Sequence, residues 1–149
     1  MDRFIRGFLA GVTGGIVMNI WDFISYYILK ISNDRFLDWA AIMIYGDKPV
    51  TIFATILALF AQLLFAGIMG IIFAYLIKLI NSRDILFKGA IWGIGSSFIL
   101  YAVPVIFKIA DLTTTSVLTT FSHFIGTTLW GLVLAQVLHW LNDKPRIEV

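Results

Sequence analysis

FIRGFLAGVTGGIVMNIWDFISYYILKI, residues 4–31, is a long apolar run that carries a carboxylate, Asp22, inside it. A helix rises 1.5 Å per residue, so about 20 residues cross the ~30 Å of bilayer hydrocarbon, and this run exceeds that length. A charge at such depth costs a few kcal/mol or more unless it is paired, hydrated or protonated. Asp22 is therefore either the centre of a function or a buried structural anchor.

Three further runs of the same kind follow, at residues 50–80, 86–109 and 115–141. They are too long and too uniformly apolar for barrel strands, which leaves helices. The 149 residues are 60% hydrophobic and 13% charged, with mean hydropathy +0.92. That charged share is roughly half that of an ordinary soluble domain. A single soluble core of this length could not hide so much apolar surface, so the expected solvent is the lipid bilayer. The expected fold is an all-α integral membrane four-helix bundle, one transmembrane domain over residues 1–149. Residues 4–31 are expected as a retained span rather than a cleavable leader, because the apolar stretch is long and holds Asp22. Pro49 suits the first turn of the second span, where its missing N–H is harmless. Pro104 falls inside the third span and should kink it.

Orientation follows from the basic residues. One side would hold Arg3, Arg6, Lys78, Arg83, Lys88, Lys144 and Arg146, seven in all, and the other Lys30, Arg35, Lys48 and Lys108, four in all. The richer side is expected in the cytoplasm, with both termini. The long connection 31–50 can hold a short helix over residues 34–45, capped by Asn33 and closed by Gly46. Its many apolar residues, Trp39 among them, fit a helix in the outer membrane interface, either as a plain hairpin or as a lid over a cavity. Trp21, Trp39 and Trp140 are candidate interface anchors.

Glycines form two stripes. Gly7, Gly11 and Gly15 lie four apart on the first span, and Gly89, Gly93 and Ser97 repeat that spacing on the third. Small residues let backbones approach where lipid gives no hydrophobic drive for association. The stripes are read as seams of the bundle, with self-association or a membrane partner as the alternative. They also belong to an internal likeness. Arg6-Gly7-x-x-x-Gly11 matches Lys88-Gly89-x-x-x-Gly93, and Gly70-Ile-Ile-Phe-Ala74 matches Gly131-Leu-Val-Leu-Ala135, with Asn81 and Asn142 closing the two halves. Gln62 then falls opposite His123. A parallel repeat of residues 4–80 and 86–142 is expected from this, with chance convergence of packing glycines as its rival.

The first stripe leads to Asn19 and then Asp22, which would lie roughly 9 Å inside the outer boundary. On the antiparallel fourth span His123 comes to a similar depth, and Gln62 sits somewhat deeper on the second. Asn19, Asp22, Gln62 and His123 are therefore the candidate polar cluster. It could serve a proton or cation relay or floor a cavity, or it could simply hold helices together.

Other chemistries find little support. Without cysteine there is no disulfide, thiolate metal site or thiol catalysis. His123 and His139 are 16 residues apart on one span, about 24 Å, too far to share a haem or metal within one chain. No cofactor is expected, and zinc lacks clustered ligands. No hydrolase, metalloprotease, Walker or dinucleotide motif is present, so an enzyme is not expected. A net charge of +2, dispersed along the chain, gives no reason to expect nucleic acid.

The layout resembles small four-span inner-membrane proteins of bacteria to which no activity is assigned. The likeness rests on the Gly7–Gly15 opening, Met18-Asn19-x-x-Asp22, Phe36-Leu37-Asp38-Trp39-Ala40, Tyr45-Gly46-x-x-Pro49 and Lys88-Gly89-Ala90-x-Trp92-Gly93. It implies a bacterial cell membrane and this topology, and it carries no site residues. The expected role is a small transport or channel-like unit built on the polar cluster. A non-catalytic scaffold or accessory subunit is the alternative.

Overall fold

The computed structural model describes residues 1–80, 83–109, 112 and 115–143. Asn81, Lys144 and Arg146, used above for the repeat and the charge count, lie outside the described residues. Among the described residues there are five α-helices: α1 (Arg3–Phe23), α2 (Phe36–Tyr45), α3 (Ile52–Ile80), α4 (Ile85–Phe107) and α5 (Val117–Asp143). Four of them, α1 with its continuation to Ile28, α3, α4 and α5, are long and apolar enough to cross a membrane. Among the described residues there is no strand.

Asp2 opens α1 by accepting the Ile5 N–H at 2.8 Å, which satisfies one of the free donors of the first turn. At its far end α1 widens into a π-helical turn over Ile24–Ile28. The wide turn leaves Ser25 buried, with its hydroxyl bonded to that of Ser122 on α5. The short helix starts at Phe36 rather than residue 34, and Asn33 does not cap it. Asn33 N–H instead donates to Thr119 Oγ1 of α5 at 2.8 Å. The cap comes from Asp38, which reaches back to the Arg35 N–H at 2.8 Å, and Gly46 closes the helix at φ 87. α4 runs through Pro104 and ends one turn later at Phe107.

The packing follows the small residues. α1 lies between α3 and α5, α4 packs on α5, and α2 packs on α3. Built on the backbone, a Cβ at Gly11 would lie 2.3 Å from Ala66 O of α3, and one at Gly93 2.1 Å from Thr127 O of α5. Real Cβ atoms do not tolerate such distances, so both stripes are seams inside the chain. Their matched residues meet in matched ways: Gly7 is held against Gly70 and Ala74, and Gly89 against Gly131 and Ala135. The order α3–α1–α5–α4 gives α3 and α4 no comparable seam. They approach through Phe73 and Trp92, whose rings are 6.0 Å apart.

Candidate functional site

The four polar residues singled out above are all buried, and the structure brings them together as two pairs. The rotation of α1 explains the split. Gly7, Gly11, Gly15 and Asn19 continue one stripe at four-residue spacing, and that stripe faces α3. Asn19 Nδ2 accordingly donates to Gln62 Oε1 at 2.7 Å, and to Gly15 O at 2.8 Å. Gly14, Met18 and Asp22 form a second stripe that faces α5. Gly14 abuts Trp130, and the Asp22 carboxylate stands 3.7 Å from His123 Nε2.

Asp22 is 0% exposed, and its Oδ2 accepts the Phe36 N–H at 2.7 Å. That donor belongs to the first turn of α2, where no intrahelical partner exists. The carboxylate thus pins the short helix onto the bundle. His123, also 0% exposed, holds the chain just before α2 from its place on α5. Its Nε2 lies 3.1 Å from Asp34 O and its Nδ1 2.8 Å from the Tyr101 hydroxyl. A carbonyl oxygen only accepts, so Nε2 carries the hydrogen and Nδ1 accepts from Tyr101. Phe36 stacks on the imidazole with ring centroids 4.2 Å apart. Asp22 Oδ1 has no hydrogen-bond partner among the described residues.

Sequence reasoning missed several members of this centre. Tyr101 supplies the hydroxyl, Trp39 packs edge-on against Tyr101 at 4.8 Å, and Ser25 and Ser122 join α1 to α5. Trp39, expected at the interface, is 1% exposed and lies inside the protein. Arg35 lies next to this centre, beside the start of α2. It holds Asp38 through two nitrogens at 2.7 and 3.0 Å and lies over the Tyr26 ring at 5.2 Å. Donating to the Asp38 carboxylate raises the Arg35 guanidinium pKa above its ordinary value. Lys48, bonded to Asp34, ties the far end of the connection to the same corner, and that bond raises the lysine as well. The one hint of these roles in the sequence was the density of polar residues in 32–38.

Beneath α2 is a cavity of about 310 Å³ whose wall draws on all five helices. Met18, Trp39, Gln62, Phe65, Leu100 and Trp130 represent them, and no lining side chain is charged. The cavity lies where α3 and α4 lack a seam. Asp22 and His123 are not in its wall, since Phe36 stands between them and the space. His139 sits at the other end of α5, beside Asp143 at 3.3 Å. Among the described residues no group of three metal-ligating side chains converges. Comparison with known protein families, curated proteins and solved structures finds no match for this chain.

Proposed function

We propose that this chain is a small, non-enzymatic transport-type unit of a bacterial cell membrane, with both termini cytoplasmic. Its solute site is the apolar cavity between α3 and α4, entered from the bilayer. The observation that carries this reading is the cavity itself, about 310 Å³, beside α3 and α4, which share no close seam. Ligand sites are concave and mostly apolar, with a few placed polar groups, and this volume is at the small end of their range. An ion path through Asp22 and His123 draws less support, because both are sealed, and Asp22 Oδ2 and His123 Nε2 are engaged with the chain at and just before the start of α2.

Proteoliposomes test the proposal. A short-chain fluorescent amphiphile should cross the bilayer faster than in empty liposomes. Ala61→Phe, which fills the cavity from α3, should return the rate to background, while proton and potassium leak stay at the empty-liposome level. A proton leak that Asp22→Asn abolishes would overturn the reading in favour of a relay. Crossing at background rate for both solute classes would leave the scaffold, whose support is the structural use of the same polar cluster.

A further inference from the structure

The polar atoms around the cavity can be accounted for one by one. Trp130 Nε1–H donates to Gly11 O at 3.0 Å. Ser96 Oγ donates to Trp92 O at 2.7 Å, within its own helix. Thr127 Oγ1 is engaged with His123 O, Phe124 O and the Ser97 hydroxyl. Two lining side chains differ. Gln62 is 8% exposed and spends its Oε1 on Asn19, while its Nε2 has no partner among the described residues. Trp39, 1% exposed, has an Nε1–H in the same condition. Buried donors left unpaired cost about 1–3 kcal/mol each, so a site that retains two of them is matched to something that accepts.

Resting on the transport-type reading above, we propose that the cavity binds an uncharged molecule with an alkyl or isoprenoid chain and a hydrogen-bond-accepting carbonyl, the carbonyl meeting Gln62 Nε2 and Trp39 Nε1. The chain is set by the wall, whose Met18, Phe65 and Leu100 side chains offer only apolar contact. The missing charge is set by the same wall: an ammonium or carboxylate would enter an uncharged lining and lose its hydration without a counter-ion. The carbonyl is chosen to suit the donors, since its oxygen can accept from both N–H groups and brings no hydrogen of its own to be satisfied. A lipid ester and a quinone share this chemistry.

Tryptophan quenching measures it, because Trp39 and Trp130 are in the wall. The protein is placed in nanodiscs of ether-linked phosphatidylcholine, a lipid without ester carbonyls, and titrated with methyl bromoundecanoate or bromododecane. The ester should quench saturably and bind about three- to tenfold tighter than the hydrocarbon, the effect of one or two modest hydrogen bonds. Gln62→Met should narrow that ratio and leave bromododecane unchanged. Competition then separates the sources: a decyl benzoquinone displacing the ester better than methyl undecanoate does assigns a quinone, and the reverse assigns a lipid ester. Equal affinity of the wild type for ester and hydrocarbon would overturn the carbonyl assignment, as would stronger competition by dodecyl-trimethylammonium. Should Gln62→Met fail to fold, the wild-type ratio alone decides. Failure of the cavity reading is distinct: neither probe would saturate, or Ala61→Phe would leave both titrations unchanged.

Discussion

Asp22 uses its two oxygens differently, and the difference is testable. Oδ2 holds the Phe36 N–H at 2.7 Å, whereas Oδ1 faces His123 Nε2 at 3.7 Å, beyond hydrogen-bond reach. Asparagine keeps a carbonyl oxygen for Phe36, so Asp22→Asn should melt close to the wild type in detergent, followed by circular dichroism. Asp22→Ala strands that N–H in a dry interior and should lose about 1–3 kcal/mol. Equal losses in the two variants would mean that the charge, not the acceptor, holds the centre. Outside the membrane-spanning segments the Lys48–Asp34 pair gives a second prediction. Its bond raises Lys48 above the ordinary 10.5, so its contribution is complete below that value and is lost as pH climbs from there through the raised one. Half of the lysine side chain is exposed, so Lys48→Ala should cost under about 1 kcal/mol. A melting temperature that falls within the neutral range and loses that fall in Lys48→Ala would contradict this.

At the scale of the helix, spacing told more than composition. Four-residue spacing carries Gly7 through Gly15 to Asn19 on one face and Gly14 through Met18 to Asp22 on the next, and these faces meet α3 and α5 respectively. The partners of α1 could be read from such stripes. The burial of α2 could not, because Trp39 and Ile42 are equally suited to lipid and to protein, and hydrophobicity does not separate the two. Tyr101 escaped for a related reason: one tyrosine in an apolar span gives no period to follow. Seam glycines predict a sharp contrast. A Cβ at Gly131 would stand 2.0 Å from Gly89 O, and one at Gly70 2.3 Å from Gly7 O, while Gly95 has nothing within 4 Å. Gly131→Ala and Gly70→Ala should each destabilise by about 1–3 kcal/mol through forced separation of the helices. Gly95→Ala should be neutral or gain up to ~1 kcal/mol from helix propensity. Unequal losses at Gly70 and Gly131 would argue that the two hairpins are not equivalent, and against an internal repeat.

For the whole molecule, the cavity was the least legible feature in the sequence, since it arises from a seam that is missing rather than from residues that are present. Apart from Gln62 on α3 and Ser96 and Ser97 on α4, the two spans are apolar on every side, so little in their order distinguishes a lipid-facing surface from a cavity wall. Which leaflet the cavity serves depends on orientation. Arg6 reaches Asn142 Oδ1 at 3.1 Å, so the start of α1 and the end of α5 share one end of the bundle. α2, which supplies Trp39 and Met43 to the cavity, lies toward the other. If the side richer in Lys and Arg faces the cytoplasm, the cavity opens to the outer leaflet. The chain has no cysteine, so single replacements report without background. In intact cells a membrane-impermeant maleimide should label Asp47→Cys, and should reach Asp84→Cys and Asp143→Cys only after lysis. The opposite pattern would place α2 and the cavity mouth on the cytoplasmic side, and a solute drawn from the inner leaflet would follow from it.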